Sequence, residues 1–123
     1  MGLTHVDMKV MGPDRTKSSI VRFLVDSGAA FSVVPREILR DLGVEPDDVQ
    51  RFELANGEVV ERRIGSAWFE FEGRRGTGPV VFGEPGDANL LGVVTLECLG
   101  LAFDPLRRKI KPLRLLMVRL APA

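Results

Sequence analysis

Cysteine and histidine each occur once in this sequence of 123 residues, as Cys98 and His5. A lone cysteine cannot close an intrachain disulfide, and one thiol with one imidazole leaves no ligand set for a structural zinc site. Net charge is absent as well, since 17 Lys and Arg balance 17 Asp and Glu. Without a basic excess there is no general attraction to a nucleic-acid backbone. No apolar run approaches the ~18 residues of a membrane helix, because Arg114 and Arg119 interrupt the greasy C-terminal stretch. The opening Met1–Val6 has no signal-peptide core, and position 6 lacks the Ser or Thr of a myristoylation site. Internal repeats and low-complexity linkers are missing too. These absences predict a soluble, cytoplasmic protein with no nucleic-acid or membrane partner and no metal or other cofactor.

What is present is 45% hydrophobic residues, enough at this length for one core and a single domain over residues 1–123, burying roughly two thirds of its unfolded surface. Thirteen Gly and 8 Pro separate short segments rich in Val, Ile, Leu and Phe, the pattern of a mostly-β domain. Val6, Met8 and Val10 alternate with polar residues, so the first strand is expected to be half-buried, whereas the nearly continuous run Ile20–Val25 predicts a fully buried one. Pro35 opens a short helix with Ile38, Leu39 and Leu42 on one face and Gly43 as its left-handed cap. Asn56-Gly57 predicts a two-residue type I′ turn with Leu54 and Val59 as cross-strand partners. Ala67, Phe69 and Phe71 alternate along another strand, and Gly73–Gly76 turns it into one around Val80–Phe82. Thr95–Leu99 reads as a second short helix, with strands at Leu101–Phe103 and Leu113–Leu120. Cys98 is expected to be a small buried hydrophobe and His5 to be exposed. The cluster Arg107, Arg108, Lys109, Lys111, Arg114 and Arg119 reads as the wet face of strands.

Chemistry concentrates at Phe23-Leu24-Val25-Asp26-Ser27-Gly28-Ala29-Ala30, where an apolar strand runs into an acid, a hydroxyl and a glycine. A carboxylate there is costly unless it is hydrogen-bonded or shared. Taken alone, the tripeptide reads first as an Asx-turn in which Asp26 bonds its own backbone two residues on and Gly28 supplies an unusual φ. With one His in the chain and no Gly-x-Ser-x-Gly, Ser27 does not read as a serine nucleophile.

Three ordered elements resolve the ambiguity: Asp26-Ser27-Gly28-Ala29 after its strand, the Asn56-Gly57 hairpin, and Asn89-Leu90-Leu91-Gly92 before the second helix. In this order they resemble the retropepsin-like, retroviral-type aspartic proteases. The resemblance implies a mostly-β, closed-barrel acid-protease protomer with one or two short helices. It also implies a homodimer, because the family works with two carboxylates on one water and this chain has one Asp-Ser-Gly. The expected activity is an aspartic endopeptidase with Asp26 of each protomer catalytic and Ser27 and Gly28 supporting it. Ser27 would clasp the partner's backbone. Peptide or protein substrate would lie extended against Ala29, Ala30, Leu54, Ala55, Asn56, Gly57, Val59, Ala88 and Leu90, under a hairpin acting as a flap. Many viral members carry an acid and an arginine where this chain has Ala30 and Val93. Apolar packing of that pair is the expected replacement, as in cellular and bacterial-looking relatives. The alternative is a catalytically silent dimer of the same fold that binds peptide or protein.

Overall fold

A computed structural model describes residues 3–113. In chain order the strands are β1 (His5–Met11), β2 (Ser18–Val25), β3 (Ser32–Pro35), β4 (Asp48–Glu53), β5 (Val59–Phe71), β6 (Arg74–Gly83), β7 (Leu90–Leu91), β8 (Leu101–Asp104) and β9 (Lys109–Pro112). Two helices of six residues each, α1 (Arg36–Asp41) and α2 (Val93–Cys98), follow β3 and β7. Seven strands form one sheet in the order β1-β2-β7-β3-β6-β5-β4, and β1 pairs again with β5, which brings the sheet back on itself. The β8–β9 hairpin stands apart as a second sheet.

The core follows from strand alternation. Met8 and Val10 of β1, Val21 and Phe23 of β2, Ala67 and Phe69 of β5 and Val80 of β6 all point inward and are buried. Leu39 and Leu42 of the α1 region and Leu96 and Leu99 of the α2 region belong to the same core cluster. Phe23 and Phe69 stack obliquely, with ring centroids 6.4 Å apart. Each contributes on the order of 1.5–3 kcal/mol by leaving water.

Several expectations change in detail. Ile20 is 63% exposed and Arg22 is exposed, so β2 alternates and is not a fully buried run. Successive side chains of a strand point to opposite faces, so with Val21 and Phe23 turned into the core, Ile20 and Arg22 are turned to the other face, toward solvent. Pro35 ends β3 and acts as the N-cap, so α1 begins one residue later; Gly43 has the expected positive φ of 83°. The β5–β6 turn falls on Glu72 and Gly73, both with positive φ, and Arg74 already pairs with Phe71. Cys98 is exposed, on the outer side of α2, while Leu96 and Leu99 turn inward. His5 is exposed, as expected. Lys109 and Lys111 lie on the exposed β9, and Arg107 pairs with Asp104 at 3.0 Å in the turn before it. Apart from its first residue, the strand expected over Leu113–Leu120 lies outside the described residues. Among those residues no helix is long and apolar enough to cross a membrane.

Candidate active site

β2 delivers Asp26 directly from the core. Phe23 is fully buried, Leu24 and Val25 are paired with Leu90 and Leu91 of β7, and the Asp26 N–H continues the ladder by donating to the Leu91 carbonyl at 3.3 Å. The chain then turns. The Gly28 N–H donates to Asp26 Oδ1 at 2.9 Å, and the Ala29 N–H to the Asp26 carbonyl at 3.1 Å. This is the Asx-turn that the tripeptide alone allows, and here it aims one carboxylate oxygen at the turn while Asp26 stays half-buried. Ser27 is exposed at the turn's outer edge.

The segment Ala29–Ser32 is locked to the second half of the chain by backbone and hydroxyl contacts. Val93 and Val94 donate their N–H groups to the carbonyls of Ala29 and Ala30 at 2.9 and 3.1 Å. Ser32 Oγ, completely buried, accepts from the Gly92 N–H at 2.9 Å and shares a hydrogen bond of 2.5 Å with Thr95 Oγ1, also completely buried. Gly92 is required by this approach: a Cβ there would lie 2.4 Å from the Ala30 carbonyl oxygen and 2.6 Å from the Phe31 carbonyl carbon. The Ala30 side chain itself is exposed, so the join expected from apolar packing of Ala30 and Val93 is made by main-chain hydrogen bonds.

The β4–β5 hairpin leans over this platform. Its turn differs from the two-residue type expected. Gly57 has φ 89° but Asn56 does not have positive φ; Leu54 accepts from the Gly57 N–H at 2.9 Å and donates to the Glu58 carbonyl at 2.7 Å. The loop therefore holds three residues, Ala55, Asn56 and Gly57, with the glycine in the left-handed position that follows a type I turn. Asn56 Oδ1 accepts from the Glu58 N–H at 2.9 Å, so this side chain shapes the turn. The extra residue shifts the pairing: Val59 faces Glu53, and Val60 faces Phe52. Leu54 and Val59 are not partners, because a one-residue slip reverses every side chain on a strand.

Between platform and hairpin lies an open cleft of about 950 Å³. Asp26, Gly28, Ala29, Ala30, Leu54, Ala55, Gly57, Ala88 and Leu90 all border it. Val59 is 59% exposed and points away, and Ser27 and Asn56 do not border it either. The alternation along β7 is instructive, for Leu91 enters the core while Leu90 faces the cleft. Sequence reasoning missed Phe31, Val33, Phe52, Val60 and Val81, which complete an apolar wall. Phe31 and Phe52 meet edge to face, with centroids 6.0 Å apart, a contact worth about 0.5–1.5 kcal/mol that joins the hairpin to the Asp26 loop. A three-residue reading of the turn would have found Phe52 and Val60.

Also missed were Arg62 and Asp87, which border the cleft as a bidentate pair at 2.7 and 2.9 Å. The Arg62 guanidinium holds the Asp87 carboxyl below its ordinary value, and Asp87 in turn raises Arg62. No local pattern pairs two opposite charges so far apart in a chain this rich in both.

A carboxylate at the end of a buried strand, a glycine N–H on its oxygen, and a largely apolar cleft under a hairpin thus come together on one side of the sheet. The chain belongs to the aspartyl protease family, whose pattern matches residues 6–95. Its fold resembles the solution structure of the simian foamy virus (mac) protease, with a TM-score of 0.50 and 20% identity over 75% of this chain and 92% of that one. A crystal structure of a retropepsin-like aspartic protease from Rickettsia conorii aligns with a TM-score of 0.45 and 23% identity, covering 81% of this chain and 84% of that one. A search of curated protein sequences finds no significant match.

Proposed function

We propose that two copies of this chain form a symmetric dimer that hydrolyses peptide bonds, with Asp26 from each meeting at the axis. The observation that carries this reading is Asp26 itself: half-buried at the end of β2, bonded through one oxygen to the Gly28 N–H, and bordering a cleft with a wall of apolar side chains. One protomer supplies one such carboxylate, and a C₂ axis beside it supplies the second. Two carboxyls about 3 Å apart cannot both ionise readily, so the pair holds one proton between them. The ionised member takes a proton from a water placed between them. The protonated member donates to the scissile carbonyl oxygen as the water oxygen attacks the carbonyl carbon. The resulting diol collapses as a proton passes to the leaving nitrogen and the C–N bond breaks.

In this reading the protomer is a closed barrel, the β4–β5 hairpin is the flap, and Ser27 braces the partner's loop. Substrate lies extended between them, with alternate side chains entering the apolar wall that Leu90, Phe52 and Val60 line. The test is Asp26→Asn, nearly identical in shape but unable to share a proton. Peptide hydrolysis should fall by several orders of magnitude while peptide binding survives, since the strand-like contacts do not need the charge. Equal cleavage by both proteins would remove Asp26 from the mechanism. Binding without cleavage by either, between pH 3 and 8, would make the dimer a peptide-binding module.

A further inference from the structure

The β4–β5 hairpin leaves the main sheet at a definite point. β6 pairs with β5 from Ile64 onward, so residues 59–63 are supported only by β4. Arg62 therefore stands two residues beyond the last sheet-anchored position, where the hairpin pivots. Its partner Asp87 belongs to the turn Glu84–Asp87, closed by the Asp87 N–H donating to the Glu84 carbonyl at 2.9 Å and by the Glu84 N–H donating to Asp87 Oδ2 at 2.8 Å. The turn is tied in addition to the start of α1 by Arg36 and Glu84, and it leads directly into Ala88 and Leu90 of the cleft wall. The side chains of Arg62 and Asp87 are only 19% and 26% exposed, so the pair is shielded in a way that surface ion pairs are not. Arg62 Nη1 donates also to the Glu61 carbonyl at 2.8 Å, which holds the guanidinium plane to its own strand.

We infer that Arg62 and Asp87 form a positioning pair that sets the angle of the hairpin over the cleft and couples it to the wall carrying Ala88 and Leu90. The inference rests on the protease reading only for its consequence in catalysis. The two side chains are bonded to each other, while Asp26 is bonded to the Gly28 N–H. The pair acts on how often the hairpin occupies the geometry that receives a peptide, and a lower fraction of competent geometry weakens apparent binding in proportion.

Amide hydrogen exchange on the free protein tests the coupling directly, with Asp87→Asn and Arg62→Met, singly and together. Asp87→Asn keeps an acceptor for the Glu84 N–H and removes the charge-assisted bond; Arg62→Met keeps most of the apolar stem. Exchange across residues 52–60 should quicken about tenfold in each single variant and no further in the double, as for one shielded charge-assisted bond lost once. Exchange at Val10, Phe23 and Phe69 should not move, which shows that the core is intact. Unchanged exchange in both singles, or effects that multiply in the double, would overturn the proposal. On peptide substrate, Asp87→Asn should raise KM about tenfold with kcat within about twofold, and Asp87→Glu should restore most of the loss. A fall in kcat at constant KM would also overturn it. Should the wild type cleave no peptide, the protease reading fails on its own and the exchange result still decides the role of the pair.

Discussion

Gly92→Ala isolates the contact on which the site depends. Gly92 has φ −88° and ψ 162°, an extended conformation open to any residue. On backbone grounds alone, replacing a glycine there stabilises by about 0.4–1 kcal/mol, because the unfolded chain loses freedom. The surroundings reverse the sign. The new Cβ would meet the Ala30 carbonyl oxygen at 2.4 Å, the Phe31 carbonyl carbon at 2.6 Å and the Phe31 carbonyl oxygen at 2.7 Å. These are roughly an ångström inside optimal contact, and all three are main-chain atoms with no rotamer to yield. Relief requires β7 and the Ala29–Ser32 segment to separate, which strains the bonds Val93 to Ala29, Val94 to Ala30 and Gly92 to Ser32. Overpacking costs about 1–3 kcal/mol and each of the three weakened bonds about 1 more, so after the backbone gain the net loss comes to about 3–5.5 kcal/mol. For a domain whose whole stability is about 5–15 kcal/mol, that is a large fraction. With a urea slope of about 2 kcal/mol/M, the unfolding midpoint should drop by about 1.5–2.8 M. Fluorescence of the single tryptophan, Trp68, half-buried on β5, reports it. Protein concentration is held fixed, because any association of copies makes the midpoint depend on it. An unchanged or raised midpoint would refute the steric argument and with it the account of how the Asp26 loop is held.

Three further outcomes are expected. Ser32→Ala should cost about 2–3 kcal/mol in the same assay, since it strands the Gly92 N–H and the Thr95 hydroxyl, both inside the protein; Thr95→Val leaves the Ser32 to Gly92 bond in place and should cost about 1. Equal costs would mean that the Ser32 to Gly92 bond contributes little. Asp87 has its folded pKa lowered from 3.8, first by the Arg62 hydrogen bond, so the unfolded chain binds the proton more readily. Its stabilisation is fully present above the unfolded carboxylate value and is lost as pH falls through the folded one; melting temperatures between pH 2 and 6 should show that acid limb shallower in Asp87→Asn. If the proton is shared at the axis, peptide hydrolysis should follow a bell-shaped profile on the acidic side of neutrality, and a rate climbing steadily to pH 9 would point to other chemistry.

Much of the architecture was legible because it is local. Alternation in Val6–Val10 and Ala67–Phe71 sets which face of a strand is apolar, and Pro35 and Gly43 bracket a helix by the φ values they favour. Asp26-Ser27-Gly28 with Leu90-Leu91-Gly92 carried the family, since those residue types answer to a turn, a carboxylate and a close backbone approach. Contacts between distant segments were not legible. Ile20 looked buried because hydropathy does not say that only one face of β2 meets the core, and Cys98 looked buried because its helix face is decided by where β6 and β8 run. The hairpin register turned on whether Asn56 or only Gly57 takes positive φ, a choice within a kilocalorie or so that Ala55 and the Asn56 to Glu58 bond settle once the strands are packed. Arg62 found Asp87 through the curl of the sheet, which lays a strand and a turn 25 residues apart against each other. Local chemistry chose the elements and the Asp26-Ser27-Gly28 turn; only the folded sheet determined which side chains close the cleft around it.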